Sequence, residues 1–247
     1  MATKEQMARA VEGIRARMAQ AARAAGRDPA DVLLCAACKT RTVEEVRESA
    51  LLDIDLFGEN HEQELTEKSD AGAYLGKPSH FIGHLQTNKV NKVVGRVSMI
   101  ESVDSEHLLR KVDAAAARLG LTQDILIEIN IGAEASKSGV APEGLWSLAE
   151  AAEAAANLRL RGLMAIPPAG ATPDETRAFF AEMRGLLTRL QEKHYQTALP
   201  DTLSMGMSSD FEAAILEGAT IVRIGTDRKS TRQNSSHIRR SRMPSSA

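Results

Sequence analysis

The sequence predicts an α/β fold, a closed (β/α)8 barrel, with a doubly wound open sheet as the alternative. Three observations lead there. Apolar runs of strand length alternate with amphipathic helical stretches about eight times, and such alternation implies parallel strands. The 247 residues suit one α/β barrel. Polar clusters also recur just past the strand ends, the end at which a barrel keeps its chemistry.

Taken in order, Lys4 to Ala25 forms an amphipathic helix that Gly26 stops. It precedes the first strand, so it is an extra helix expected to cover one end or side of the core. Val32 to Thr40, VLLCAACKT, is an apolar run that breaks off at a lysine; such a run reads as a strand buried on both faces. Thr42 and Glu45 form a capping box for a helix over Val43 to Leu51. Then follow the strand IDLFGEN, a helix from Gln63 to Ser69, the short strand HFIG, a helix from Asn88 to Val94 and the strand VSMIESV. Ser105 to Leu119 is helical and ends at Gly120; Asp124 to Ile131 is a strand; Glu143 to Ala156 is an alanine-rich helix. Leu158 to Ile166 is a strand closed by Pro-Pro, and Pro173 to Lys193 a long amphipathic helix. Thr202 to Met205 and Thr220 to Ile224 are the last strands, with a helix from Ser209 to Glu217 between them.

Composition excludes several classes. Apolar residues are 43% and charged residues 26%, ordinary for a chain with a real core. The net charge of −2 and an aromatic content of 3% argue against nucleic acid as a partner. No run has the length of a membrane span, and the N-terminus lacks the apolar core of a signal peptide. A cytoplasmic protein is expected. Cys35 and Cys38 form a C-x-x-C, but residues three apart in a strand face opposite sides. They read as structural cysteines rather than a redox pair.

The polar clusters are Lys39-Thr40, Gly58-Glu59-Asn60, Gly83 to Lys89, Ser102 to Asp104, Asn130 with Glu134 to Gly139, Met205 to Asp210, and Arg223 to Thr226. In a barrel they converge on one mouth. By position alone Lys39 fits the first solvated residue after a strand better than a reactive lysine. Ser208 and Ser209 equally fit helix caps, and Arg223 a rim salt bridge. Together, MGMSSD before a helix and RIGT after the last strand favour a phosphate site, which barrels usually build from the loops after strands seven and eight. A phosphate site plus a lysine whose proton affinity burial lowers points to pyridoxal phosphate, held as a Schiff base. An arginine at its ring nitrogen would keep that nitrogen unprotonated.

The motifs CKT, FGEN, HFIGHLQTNK, ESVDS, EINIGAEASKSG, GLMAIPP and LSMGMSSDFEAAILEGATIVRIGT occur in order over nearly all of residues 3 to 226. In these the chain resembles the pyridoxal phosphate homeostasis proteins, a group related to the barrel domain of alanine racemase. The resemblance implies a (β/α)8 TIM barrel of the alanine racemase N-terminal domain type, with an extra N-terminal helix, over residues 1–226. It implies that Lys39 is the Schiff-base lysine, that Ser208, Gly225 and Thr226 contact the phosphate, and that Arg223 meets the ring nitrogen. It also places Asn60 and Met205 beside the cofactor. The implied role is to hold pyridoxal 5′-phosphate and pass it to apo-enzymes, as a monomer, without substantial turnover.

The alternative is an amino-acid racemase, which needs a base on each face of the substrate carbon. The only tyrosines, Tyr74 and Tyr195, lie in no mouth motif. His84 reads as a rim histidine. Lys137 reads as a solvated loop lysine, or as a second, transient Schiff-base group. Past Thr226 the resemblance stops. Residues 227–247, DRKSTRQNSSHIRRSRMPSSA, form a basic, aperiodic tail that looks like a translated sequencing adapter. The tail is expected to be disordered and to stand where the last barrel helix belongs.

Overall fold

The computed structural model describes residues 3–134, 138–197 and 200–225. Thr226, Lys137 and the tail 227–247 lie outside the described residues. The strands are β1 (Leu33–Ala37), β2 (Leu56–Glu59), β3 (Ser79–Phe81), β4 (Met99–Val103), β5 (Gln123–Ile129), β6 (Leu158–Ala165), β7 (Thr202–Ser204) and β8 (Ile221–Gly225). All neighbours are parallel, and the sheet closes in the order β1-β2-β3-β4-β5-β6-β7-β8. Closure is the pairing of β1 with β8, from Leu33 opposite Ile221 to Ala37 opposite Gly225. The barrel was the expected fold, and the open-sheet alternative is excluded.

The helices are α1 (Lys4–Ala24), α2 (Val43–Ser49), α3 (Glu62–Asp70), α4 (Val90–Val93), α5 (Glu106–Leu119), α6 (Leu145–Glu153), α7 (Pro173–Gln191) and α8 (Phe211–Leu216). Their starts follow local chemistry. Thr42 and Glu45 form the capping box of α2, and Thr172 and Glu175 that of α7, with Pro173 at its first turn. Ser105 caps α5, and Gly120 ends it at φ 64°. Helices α4, α6 and α8 each start two residues later than the sequence pattern predicts. The stretch from Asn88 overlaps a 3-10 turn, Thr87–Lys89, before α4; that from Glu143 overlaps the 3-10 turn Pro142–Gly144 before α6. Helix α8 starts at Phe211 because Met207 to Asp210 is bound as a loop: Asp210 Oδ1 accepts from the Met207 N–H at 2.6 Å.

Helix α1 covers more than one end of the core. Arg15 pairs with Asp53 and Asp55 at the approach to β2. Arg17 pairs with Glu212 at 2.6 Å and stacks over Phe211, both on α8. Val11, Met18, Ala21 and Ala22 are buried in the main core. So α1 lies between α8 and α2, across the seam where β8 meets β1. That is the slot the sequence pattern assigned to a helix after β8.

Strand side chains alternate between two compartments. Outward residues such as Phe57, Ile100, Ile125 and Leu163 join Leu65, Phe180 and Phe211 in a continuous layer under the helices. Inward residues form small apolar groups, Cys35–Leu56–Ile221 and Met99–Leu126–Met164. Two positions further along those strands sit Glu101, Glu128, Ile166 and Arg223, so the barrel turns polar toward its carboxyl end. Gly162 in β6 is required: at φ 146° an added Cβ would lie 1.9 Å from the Thr202 carbonyl oxygen of β7. No described helix is long and apolar enough to cross a membrane.

Candidate functional site

The mouth at the carboxyl end of the strands holds a cavity of about 550 Å³. Lys39 just past β1, Asn60 just past β2, Ser208 from the loop after β7, and Arg223 and Gly225 from β8 all line it. Chain segments far apart in sequence thus bring an amine, a guanidinium, a hydroxyl and an amide around one space. The Ser208 hydroxyl donates to the Gly225 carbonyl at 3.4 Å, which joins the two loops assigned to phosphate. No described atom lies within 4 Å of a Cβ built on Gly225, so its backbone is open to a ligand. Gly206, at φ 92°, lets the loop turn back sharply; a Cβ there would come within 2.5 Å of Ala214 Cβ.

Two expectations change. Met205 is fully buried in the core and does not line the cavity, whereas Met207 does. The period of two at the end of β7 turns Met205 away from the mouth. Lys39 is exposed, so the burial expected of a Schiff-base lysine is absent and the position is that of a first solvated residue, because it stands past the last residue of β1. Ala37, Thr40, Arg41, Ile82, Ile166 and Ser209 complete the lining. Of these, Ile82 and Ile166 had read only as strand residues, since nothing local marks which side of a barrel strand an isoleucine faces. His84 is an exposed rim residue, 3.2 Å from Ser138 Oγ and 3.6 Å from Asp104. Both cysteines are free and buried. Burial raises both thiol pKa values, as expected of structural rather than redox cysteines.

Below the cavity, Arg223 belongs to a chain of bonds inside the barrel. Its NH1 donates to Ser204 Oγ at 2.6 Å, and Ser204 donates to Glu101 Oε2 at 2.6 Å. NH2 donates to the Ala165 carbonyl at 3.0 Å. The other Glu101 oxygen lies 2.6 Å from His80 Nδ1; an ionised carboxylate only accepts, so Nδ1 carries the proton. Burial alone would raise the Glu101 pKa. The hydrogen bonds and charges of His80, Arg223 and Ser204 outweigh it and hold the carboxyl below its ordinary range. His80 also lines a second opening at the amino end of the barrel, of about 580 Å³. The guanidinium at the mouth is therefore held in place from the floor.

A side lobe of about 320 Å³ shares Asn60, Ile82 and Ile166 with the main cavity. Glu128 lines it, and burial, with the charge of Asp104, pushes its pKa up to about 7. Glu59 turns away from the mouth. It lies under Lys39 in a buried cluster with Lys68, Glu64 and Tyr74. Lys68 went unseen in the sequence because it sits in a polar helix, EQELTEKSD, which reads as a solvated face.

The donor set fits a phosphorylated aldehyde with a basic ring nitrogen: one amine, one guanidinium with fixed orientation, and a hydroxyl beside an open glycine backbone. Known proteins agree with that chemistry. Residues 11–227 match the family described as alanine racemase, N-terminal domain. The pyridoxal phosphate homeostasis protein of Aquifex aeolicus is 43% identical over 90% of this chain and 95% of its own length. That of Pseudomonas aeruginosa is 45% identical, covering 86% of this chain and 90% of its own. The structure of PipY from Synechococcus elongatus with PLP bound superposes with a TM-score of 0.74 at 33% identity, over 86% of this chain and 98% of that one.

Proposed function

The chain belongs to the family of the alanine racemase N-terminal domain, and from that premise we propose that it binds pyridoxal 5′-phosphate in the barrel mouth and serves the homeostasis of that cofactor. The observation that carries this is the meeting of Lys39, Ser208, Arg223 and Gly225 on one cavity wall. Bound there, the cofactor supplies an aldehyde that condenses with an amine. Lys39 offers that amine at the open end of β1. Ser208 and the Gly225 backbone would hold the phosphate, and the family resemblance adds Thr226. Arg223 would meet the ring nitrogen, and its fixed positive charge would disfavour a proton there. Asn60 borders the ring, and Met205 supports the β7 end from within the core.

The role is holding and releasing rather than turnover. Racemisation needs a second base across the substrate carbon, and neither tyrosine lines the described cavity. Tyr74 is buried and donates to Glu59 at 3.0 Å, and Tyr195 is not among the lining residues. The protein acts as a cytoplasmic monomer that passes the cofactor to apo-enzymes. Mixed with pyridoxal 5′-phosphate, the purified chain gains a visible imine band, and Lys39→Ala removes it without altering the circular dichroism spectrum. An unchanged band in Lys39→Ala overturns the assignment. Alanine racemisation above background overturns the non-enzymatic role, and sedimentation as a dimer overturns the monomer.

A further inference from the structure

Two peptide groups flank Lys39, and one buried ion cluster grips both. The Cys38 carbonyl accepts from Lys68 Nζ at 2.7 Å. The Thr40 N–H donates to Glu64 Oε2 at 2.9 Å. The same Glu64 oxygen accepts from Lys68 Nζ at 2.9 Å, so the two grips are one unit. The third ammonium bond goes to Glu59 Oε2 at 3.0 Å, which leaves Lys68 with all three donors used. Lys68 is 1% exposed, and its two carboxylate partners keep it charged against the pull of burial. Burying an ammonium is costly even when it is paired. Docking α3 alone needs only an apolar side chain, which Leu65 already supplies. Thr40 adds a second sign: it sits at φ 62°, a left-handed geometry that a β-branched residue rarely adopts. The chain therefore turns at Lys39 and Thr40, where the Arg41 N–H donates to the Cys38 carbonyl at 3.0 Å, and Glu64 braces that turn from outside it.

We propose that Lys68 and Glu64 are positioning residues, which fix the backbone on both sides of Lys39 so that its amine is aimed into the cavity. This rests on Lys39 being the cofactor-binding amine. Misplacing a reacting group by about 1 Å costs about 100-fold in rate, so a small loosening at Thr40 is enough to matter.

The test separates amine chemistry from binding. Imine formation is followed at the visible band with pyridoxal 5′-phosphate. Binding alone is followed with pyridoxine 5′-phosphate, which has the ring and phosphate but no aldehyde. Amide exchange at Thr40, measured without ligand, reports the grip itself. Glu64 is partly exposed, with 26% of its side chain accessible, so Glu64→Ala keeps the fold. Glu64→Ala and Lys68→Met are expected to slow imine formation at least ~10-fold and to speed Thr40 exchange, with pyridoxine 5′-phosphate affinity unchanged. Glu64→Gln retains one oxygen able to accept both bonds and restores the parent rate. Tyr74→Phe lies in the same cluster but touches neither peptide group; it leaves imine formation unchanged. Parent-like imine formation in Glu64→Ala overturns the proposal, as does equal loss of both ligands. An imine band that persists in Lys39→Ala overturns instead the reading on which it rests.

Discussion

Replacing Glu101 by leucine removes the acid that ties His80, Ser204 and Arg223 together inside the barrel. Two bonds of 2.6 Å end on this carboxylate, and the Arg223 guanidinium lies 3.8 Å away. A hydrogen bond to a charged group contributes about 1.5–3 kcal/mol, so the two bonds sum to about 3–6 kcal/mol. Breaking a buried pair while leaving its partner charged costs about 3–5 kcal/mol, a consistent range. At about 2–4 °C per kcal/mol for a chain of this size, Tm falls by roughly 6–20 °C. The assay is urea unfolding of parent and variant across pH. The folded Glu101 pKa is depressed, so its contribution is complete above the ordinary carboxylate range and lost as pH falls through the folded value. The deficit of Glu101→Leu is therefore full at neutral pH and shrinks on acidification. Adding Arg223→Met to Glu101→Leu recovers about 1 kcal/mol or more relative to the sum of the single changes, because the unpaired charge is gone. A deficit below ~1 kcal/mol at pH 7, or one that grows toward acid, refutes the reasoning.

Other perturbations probe separate parts of the molecule. Glu128 has its folded pKa raised from 4.5 to about 7, so its ionisation costs stability as pH rises through that window. Glu128→Gln should gain up to about 3 kcal/mol over the parent at pH 8 and nothing at pH 4, read by urea unfolding; equal differences at both pH values refute this. Met18, 3% exposed on α1, should cost about 2–4 kcal/mol on truncation to alanine if α1 is part of the barrel's outer ring; a surface-like cost below ~0.5 kcal/mol would say otherwise. Gly162→Ala forces a Cβ against the β7 backbone and should destabilise by about 3 kcal/mol or more, which thermal melting checks.

The barrel was readable because each strand and helix announces itself locally. CKT, FGEN and RIGT mark strand ends, and strand ends in a barrel must share one mouth. What the sequence withheld is tertiary. Glu101 sits in the strand MIESV, where its neighbours give no hint that a histidine on β3 and an arginine on β8 converge on it. Lys68 and Glu64 show the spacing of an ordinary exposed helical ion pair; only the docking of α3 against β2 turns Lys68 inward, onto Glu59 and the Cys38 carbonyl. Met205 and Met207 would share a face if β7 ran on; the strand ends at Ser204 and the chain turns at Gly206, which parts core from cavity and which spacing alone does not show. The placement of α1 was equally hidden, since periodicity shows that a helix has an apolar face and not which seam that face covers.

That seam has a consequence for biosynthesis. Arg17 meets Glu212 across 195 positions of sequence, and β1 finds its second neighbour only in β8. Contacts so far apart close late and slowly. At about 5–20 residues per second, a ribosome takes roughly 10–40 s to deliver α8 after α1 has emerged. For that interval the nascent chain carries an apolar helix face and one open edge of β1, both exposed to aggregation or chaperone capture. Fastening the finished barrel by its first helix thus exposes it to a vulnerability during its own translation.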